Sequence, residues 1–103
     1  MECVDVHKAK EILDQGQITI VDIRDGQSYA QAHIDQAISI NDNNIEEFLT
    51  SANKENPLIC YCYHGFSSQN AAQFFNEQGF KTVYSIDGGF EAWRATYPTV
   101  TNS

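Results

Sequence analysis

Basic side chains are scarce in this sequence. Six Lys and Arg residues stand against 14 Asp and Glu residues, so the 103-residue chain carries a formal net charge of −8 at pH 7. Nucleic acids and anionic membrane surfaces are bound through clustered Lys and Arg side chains. The charge balance therefore argues against both classes of partner.

Long apolar runs and a disulfide framework are also absent. No stretch approaches the ~18 apolar residues of a membrane-spanning helix. The acidic segment 1–7 lacks the apolar region of a secretory signal. Three cysteines at irregular positions, Cys3, Cys60 and Cys62, do not make a disulfide framework. We therefore expect a cytoplasmic protein. We expect no metal knuckle at Cys60 and Cys62, because we expect their thiols to point apart.

A chain of this length is expected to form one domain, residues 1–103, around a single core. Its hydrophobic fraction of 42% is typical of a globular protein. Short apolar runs alternate with helical patterns along the chain. This alternation predicts an α/β fold, with a parallel sheet covered by helices on both faces. In such sheets the functional site lies at the carboxyl ends of the strands.

The predicted elements can be placed from periodicity and from turn residues. Strands are expected at 3–6, 18–23, 37–40, 57–62 and 82–86, and helices at 8–15, 28–33, 45–52, from about 69 to Gly79, and around Phe90 and Trp93 up to Pro98. Gly79 is a natural residue to end a helix. Helical spacing assigns four aromatic residues to the core: Phe74, Phe75, Phe90 and Trp93.

The segment from Cys62 to Ser68 is the most informative part of the chain. It connects the apolar strand to a helix, so Cys62 lies near unpaired backbone N–H groups that favour an anion. A thiol in that position ionises near neutral pH and becomes a nucleophile. Gly65 gives the turn its backbone freedom, and Ser67 or Ser68 is expected to cap the helix.

Four separated motifs resemble the rhodanese family, and more narrowly its short, single-domain thiosulfate sulfurtransferases. They are VDIRD at 21–25, YAQAHIDQA at 29–37, CYHGFSS at 62–68 and YSIDGGFEAW at 84–93. The resemblance covers almost the whole chain in order. It implies a rhodanese-like α/β fold.

The resemblance also implies a double-displacement reaction. Cys62 would take the sulfane sulfur of thiosulfate, release sulfite and hold a persulfide. Cyanide, a small thiol or a thioredoxin-like protein would then remove that sulfur. No metal or organic cofactor is implied. The loop residues expected to bind the substrate are Tyr63, His64, Gly65, Phe66 and Ser67.

The chain departs from the family pattern at a few positions. Ala32 and Gln36 stand where glycines usually flank the His-Ile motif. Tyr63 and His64 replace the basic residues that larger rhodaneses often carry after the cysteine. The bulk of Phe66 is expected to narrow or shield the mouth of the site.

Other polar residues have structural and functional interpretations. Cys60, inside a strand, is expected to be a small apolar core residue, and His33 a structural residue of its motif. His64 either contacts the substrate or is a solvated loop residue. Asp22 and Arg24 are expected to form a structural ion pair, with direct substrate contact by Arg24 as the alternative.

Two further functions fit parts of the pattern. A cysteine phosphatase of a related fold needs Cys-x5-Arg, but Ser68 stands at the arginine position and the loop contains no Lys or Arg. A persulfide carrier for protein-to-protein sulfur delivery would use the same loop. The sequence does not separate this carrier from the enzyme.

Overall fold

A parallel sheet forms the centre of the protein. The computed structural model describes residues 1–101, so the end of the expected domain 1–103 lies outside the described residues. The strands are β1 (Glu2–Val4), β2 (Thr19–Asp22), β3 (Ile38–Ser39), β4 (Leu58–Tyr61) and β5 (Val83–Ile86). They lie in the order β1-β5-β4-β2-β3, and every neighbouring pair is parallel. The predicted sheet type is confirmed.

Helices cover both faces of this sheet. They are α1 (Val6–Asp14), α2 (Gly26–Gln31), α3 (Ile45–Ser51), α4 (Ser67–Glu77) and α5 (Gly89–Arg94). One apolar cluster joins α1 and α5 to β4 through Ile59 and Tyr61. A second cluster joins α3 and α4 to the same strand through Leu58 and Cys60. This alternation along β4 explains why the strand is apolar at every position.

Several boundary and burial predictions are wrong. The helix expected at 28–33 is α2 (Gly26–Gln31), because the Asp25 side chain caps it by accepting from the Ser28 N–H. Strand β1 ends at Val4, because Asp5 accepts a hydrogen bond from the Lys8 N–H and begins α1. Strand β4 ends at Tyr61, so Cys62 lies outside the strand. The Phe74 side chain is 39% exposed, whereas the other three aromatic residues assigned to the core are buried. Helical spacing alone does not say which side of a helix faces the sheet.

The carboxyl ends of β2, β4 and β5 meet at one edge of the sheet. These strands end at Asp22, Tyr61 and Ile86, and each is followed by a loop of the motifs described above. No helix within the described residues 1–101 is long and apolar enough to cross a membrane.

Candidate active site

Cys62 is the first residue after β4, and its side chain is only 7% exposed. Its Sγ accepts hydrogen bonds from the backbone N–H groups of Gly65, at 3.1 Å, and Ser68, at 3.3 Å. The Ser68 Oγ lies 3.4 Å from the same sulfur. The chain therefore folds back on the thiol and presents several donors to it.

These donors decide the ionisation of Cys62. Burial by itself raises the pKa of the thiol, but the hydrogen bonds from the Ser68 hydroxyl and from the backbone of Ser68, Gly65 and His64 outweigh it. The pKa of Cys62 is therefore below its ordinary value. None of these donors carries a formal charge. The anion is favoured by backbone and hydroxyl dipoles rather than by a cationic side chain.

A second serine supports the first from β5. The Ser68 Oγ lies 2.7 Å from the Ser85 Oγ, and both residues are completely buried. Ser85 is not among the predicted site residues, although a serine inside the apolar strand 82–86 was a signal. Two buried hydroxyls that bond each other next to a sulfur form a polar network inside the core.

Neither serine caps α4. The cap position is occupied by Phe66, which makes no side-chain cap hydrogen bond, and Ser67 is the first residue of the helix. The capping prediction is wrong because the first-turn N–H of Ser68 donates to Cys62 Sγ, so the sulfur takes the place of a capping oxygen.

The loop rests on the start of α5. The N–H groups of Phe90 and Glu91 donate to the carbonyl oxygens of Cys62, at 2.8 Å, and Tyr63, at 3.0 Å. The loop and the start of α5 approach so closely that a Cβ at Gly89 would lie 2.6 Å from both carbonyl oxygens. Gly89 is therefore a site residue. It lies in the motif at 84–93, but the motif did not predict its role. Gly65 has φ +94°, as its predicted role requires, and a Cβ there would lie 2.7 Å from the Gly88 nitrogen.

The Tyr63 hydroxyl is bound at the start of α2. Its Oη donates to Asp25 Oδ1 at 2.7 Å and also contacts the Ser28 hydroxyl. The Arg24 guanidinium lies over its ring, with Cζ 5.4 Å from the ring centroid. The hydroxyl of Tyr63 is thus engaged with protein groups.

The three other expected substrate-binding side chains differ in placement. His64 and Ser67 are exposed, and within residues 1–101 neither side chain makes a hydrogen bond. Phe66 is 78% exposed at the start of α4. It projects into solvent, so the expected shielding of the mouth by Phe66 is not observed.

Cys60 is a buried core residue, as predicted. Burial raises the pKa of its thiol well above the ordinary range, and its Sγ lies 3.2 Å from the Ser68 carbonyl oxygen. The expectation that the thiols of Cys60 and Cys62 point apart is wrong, since both contact Ser68. Residues two apart in a strand direction share a face. Cys3 is exposed.

Asp22 and Arg24 form the predicted ion pair beside the loop. Arg24 Nη2 lies 2.7 Å from Asp22 Oδ2, and both side chains are buried. Burial lowers the pKa of Arg24, but the hydrogen bond to Asp22 and its charge outweigh this and raise it. The guanidinium also stacks on Phe90, with Cζ 3.9 Å from the ring centroid. Arg24 thereby joins the end of β2 to α5.

His33 has a structural environment. Its Nδ1 lies 2.7 Å from the Tyr29 carbonyl oxygen, and its ring stacks on the Tyr29 ring at 3.9 Å between centroids. Its backbone forms a bridge with Val100. These contacts account for the buried imidazole.

Comparison with known proteins places this geometry among relatives. The family model described as Rhodanese-like domain matches residues 5–96. A protein of Shewanella oneidensis named thiosulfate sulfurtransferase GlpE is 49% identical over 88 residues, which are 85% of this chain and 87% of that protein. The protein of the same name from Pseudomonas paraeruginosa is 46% identical over 96 residues, 93% of this chain and 86% of that protein. The solution structure of a rhodanese-like domain from Anabaena superposes with a TM-score of 0.84 at 26% identity, covering 95% of this chain and 77% of that one.

Proposed function

The chain belongs to the rhodanese-like domain family, and from that membership we propose that it is a thiosulfate sulfurtransferase with Cys62 as its nucleophile. Relatives at 49% and 46% identity over most of their length carry that enzyme name. The assignment of Cys62 rests on one observation: its sulfur accepts hydrogen bonds from two backbone N–H groups of its own loop.

The reaction proceeds in two displacements. The Cys62 thiolate attacks the outer sulfur of thiosulfate, a new S–S bond forms, the sulfur–sulfur bond of thiosulfate breaks, and sulfite leaves with the bonding electron pair. The enzyme is left as a Cys62 persulfide anion. Cyanide or a thiolate then attacks the outer sulfur and leaves as thiocyanate or a new persulfide, which regenerates the thiolate. The loop N–H groups stabilise the negative sulfur at each stage.

The acceptors belong to this proposal. Cyanide and small thiols are the simplest acceptors, and a thioredoxin-like protein is the macromolecular one. We also propose a cytoplasmic location, which is supported by the three free cysteines, because reducing compartments keep thiols unpaired. The chain would work as the single domain of residues 1–103.

A persulfide carrier remains the second candidate, and one observation favours it. Phe66 is 78% exposed directly beside the sulfur-binding loop, where a protein acceptor with an apolar surface would bury it. A phosphatase is disfavoured, because the completely buried Ser68 occupies the position that would need an arginine.

The test is turnover together with direct detection of the intermediate. The unmodified protein should convert thiosulfate and cyanide to sulfite and thiocyanate. Mass spectrometry after thiosulfate alone should find one added sulfur atom on the Cys62 peptide. Cys62→Ser should abolish both signals while remaining folded. Cys60→Ala is the matched control, and it should retain most turnover while losing stability, since it leaves a gap in the core. Turnover by Cys62→Ser, or sulfur added to Cys60 instead, would contradict the assignment.

A further inference from the structure

Tyr63 is held at three points. Its carbonyl oxygen accepts from the Glu91 N–H of α5 at 3.0 Å. Its ring lies under the Arg24 guanidinium. Its hydroxyl donates to Asp25 and contacts Ser28 at the start of α2. Tyr63 is adjacent to Cys62 in the sequence, so this attachment begins one residue from the sulfur.

Asp25 is a fixed acceptor for that hydroxyl. Its Oδ2 accepts from the Ser28 N–H at 3.0 Å, and its Oδ1 accepts from the Ser28 Oγ at 2.9 Å. The Tyr63 hydrogen bond is the largest cause that lowers the pKa of Asp25, to about 2, followed by the bonds from Ser28. The carboxylate is therefore ionised throughout the pH range in which a thiol titrates.

Backbone hydrogen bonds to α5 and one from the Gln69 side chain to the Gly65 carbonyl hold the ends of the loop, but the stretch between Cys62 and Gly65 has few side chains of its own. It contains only Tyr63 and His64, and His64 is exposed with no side-chain hydrogen bond among the described residues. Yet the backbone N–H groups of His64 and Gly65 both act on the sulfur. In the part of the chain that the structure describes, Tyr63 therefore provides the side-chain anchor of this stretch.

We propose that Tyr63 is a positioning residue, whose hydroxyl, clasped by Asp25 and Ser28, holds the loop so that its N–H groups point at Cys62 Sγ. This role extends the proposed function, and its effect on turnover rests on that function. Tyr63 acts through the loop and not through contact of its hydroxyl with thiosulfate, because that hydroxyl already has two protein partners.

The clasp, which is the contact of the Tyr63 hydroxyl with Asp25 and Ser28, also links the loop to α2. Helix α2 has six residues, none of them fully buried, and Tyr29 packs against the core. Asp25 begins this helix, and its carboxylate joins the helix start to the loop. Loss of the Tyr63 hydroxyl would release the loop and the helix start from each other.

The readout is the pH profile of Cys62 alkylation by iodoacetamide, followed on the Cys62 peptide by mass spectrometry in a Cys3→Ser background. This signal needs no thiosulfate. The other titratable or charged groups near the loop include Asp22, Arg24, Asp25, Cys60, Tyr61, His64, Asp87 and Glu91. Among these groups, the variants below change only Asp25.

Tyr63→Phe should move the inflection of the profile to higher pH and lower kcat/KM for thiosulfate about tenfold, the effect of one lost hydrogen bond to a charged partner. Tyr84→Phe, which removes a hydroxyl from β5 without touching the loop, should leave the profile unchanged. Asp25→Ala removes the acceptor and should reproduce the Tyr63→Phe profile, and the double variant should show no further shift, since the two groups act as one unit.

Each result decides the proposal. A Tyr63→Phe protein with the parent profile would overturn it, as would Asp25→Ala with the parent profile, which would show that Tyr63 does not act through Asp25. The unmodified protein could fail to turn over thiosulfate while the alkylation profiles of the variants shift together. That result would contradict the proposed function and support the positioning role of Tyr63. Urea unfolding of each variant verifies that the folded state is being compared.

Discussion

The hydroxyl of Ser85, in the middle of the core, lies 2.7 Å from the hydroxyl of Ser68, which in turn lies 3.4 Å from Cys62 Sγ. A network of this kind polarises the hydroxyl that faces the sulfur. The chemistry at the loop is thus supported from β5, 17 residues away from Ser68 along the chain.

We expect Ser68→Ala to raise the pKa of Cys62, because the Ser68 hydroxyl is the largest of the hydrogen bonds that lower it against the effect of burial. The turnover rate of the unmodified protein should rise with pH and level off below the ~8.5 of a free thiol. In Ser68→Ala the same rise should occur at higher pH, and kcat/KM at neutral pH should fall roughly tenfold. Ser85→Ala should act in the same direction and more weakly. Equal pH profiles for all three proteins would contradict the network.

Gly89→Ala should disrupt the site from the side of α5. The added Cβ would lie 2.6 Å from two loop carbonyl oxygens, and Gly89 has φ +60°, which costs other residues energy. Strain and overlap together should lower the free energy of unfolding by about 2–4 kcal/mol, with loss of turnover. Gly26→Ala is the control, since Gly26 has no atom within 4 Å of its Cβ position and no positive φ. Urea unfolding measures both, and equal stability of the two variants would show that the loop and α5 are not in close contact.

Thiosulfate should bind weakly, with a Michaelis constant at or above the millimolar end of the usual range. The donor is a dianion, the net charge of the chain is −8, and the loop contains no cation. His64→Lys, at an exposed loop position, should lower that constant several-fold. Gln15→Lys adds the same charge at the end of α1 and should have little effect. Moderate salt should raise kcat/KM of the parent by screening repulsion. A micromolar constant in the parent would show that the loop dipoles outweigh the net charge.

Gln36 should tolerate a change to glycine with a gain in stability. It has φ +70°, a left-handed conformation that non-glycine residues adopt at a cost. Gln36→Gly should therefore raise the free energy of unfolding by up to about 1 kcal/mol, after the entropic cost of glycine in the unfolded chain. Ala32→Gly is the contrasting variant: Ala32 has φ −168°, which any residue adopts, so glycine there should only destabilise. The opposite order of stabilities would show that Gln36 is not strained.

The family, the fold class and the order of the elements were predictable, because they depend on local patterns and on motifs that are contiguous in the chain. The contacts that shape the site were not. Ser68 meets Ser85, Tyr63 meets Asp25, and Gly89 meets the Cys62 carbonyl, each between segments far apart in sequence.

Local preferences also misled in two places. Serine is a good cap, and two serines at the start of α4 favoured one as the cap, yet the sulfur took the first-turn N–H. Phe74 has the spacing of a core residue but lies on the open side of its helix. In both cases a tertiary contact, or its absence, decided the outcome.

The contact between the loop and α5 also bears on when the thiol becomes reactive during synthesis. Cys62 and Tyr63 are held by the N–H groups of Phe90 and Glu91, and Gly65 packs on Gly88. A nascent chain that has not yet emerged beyond α5 lacks those contacts, so its Cys62 would titrate like an ordinary thiol. We therefore expect the reactive form of Cys62 to appear only after α5 has docked against the loop.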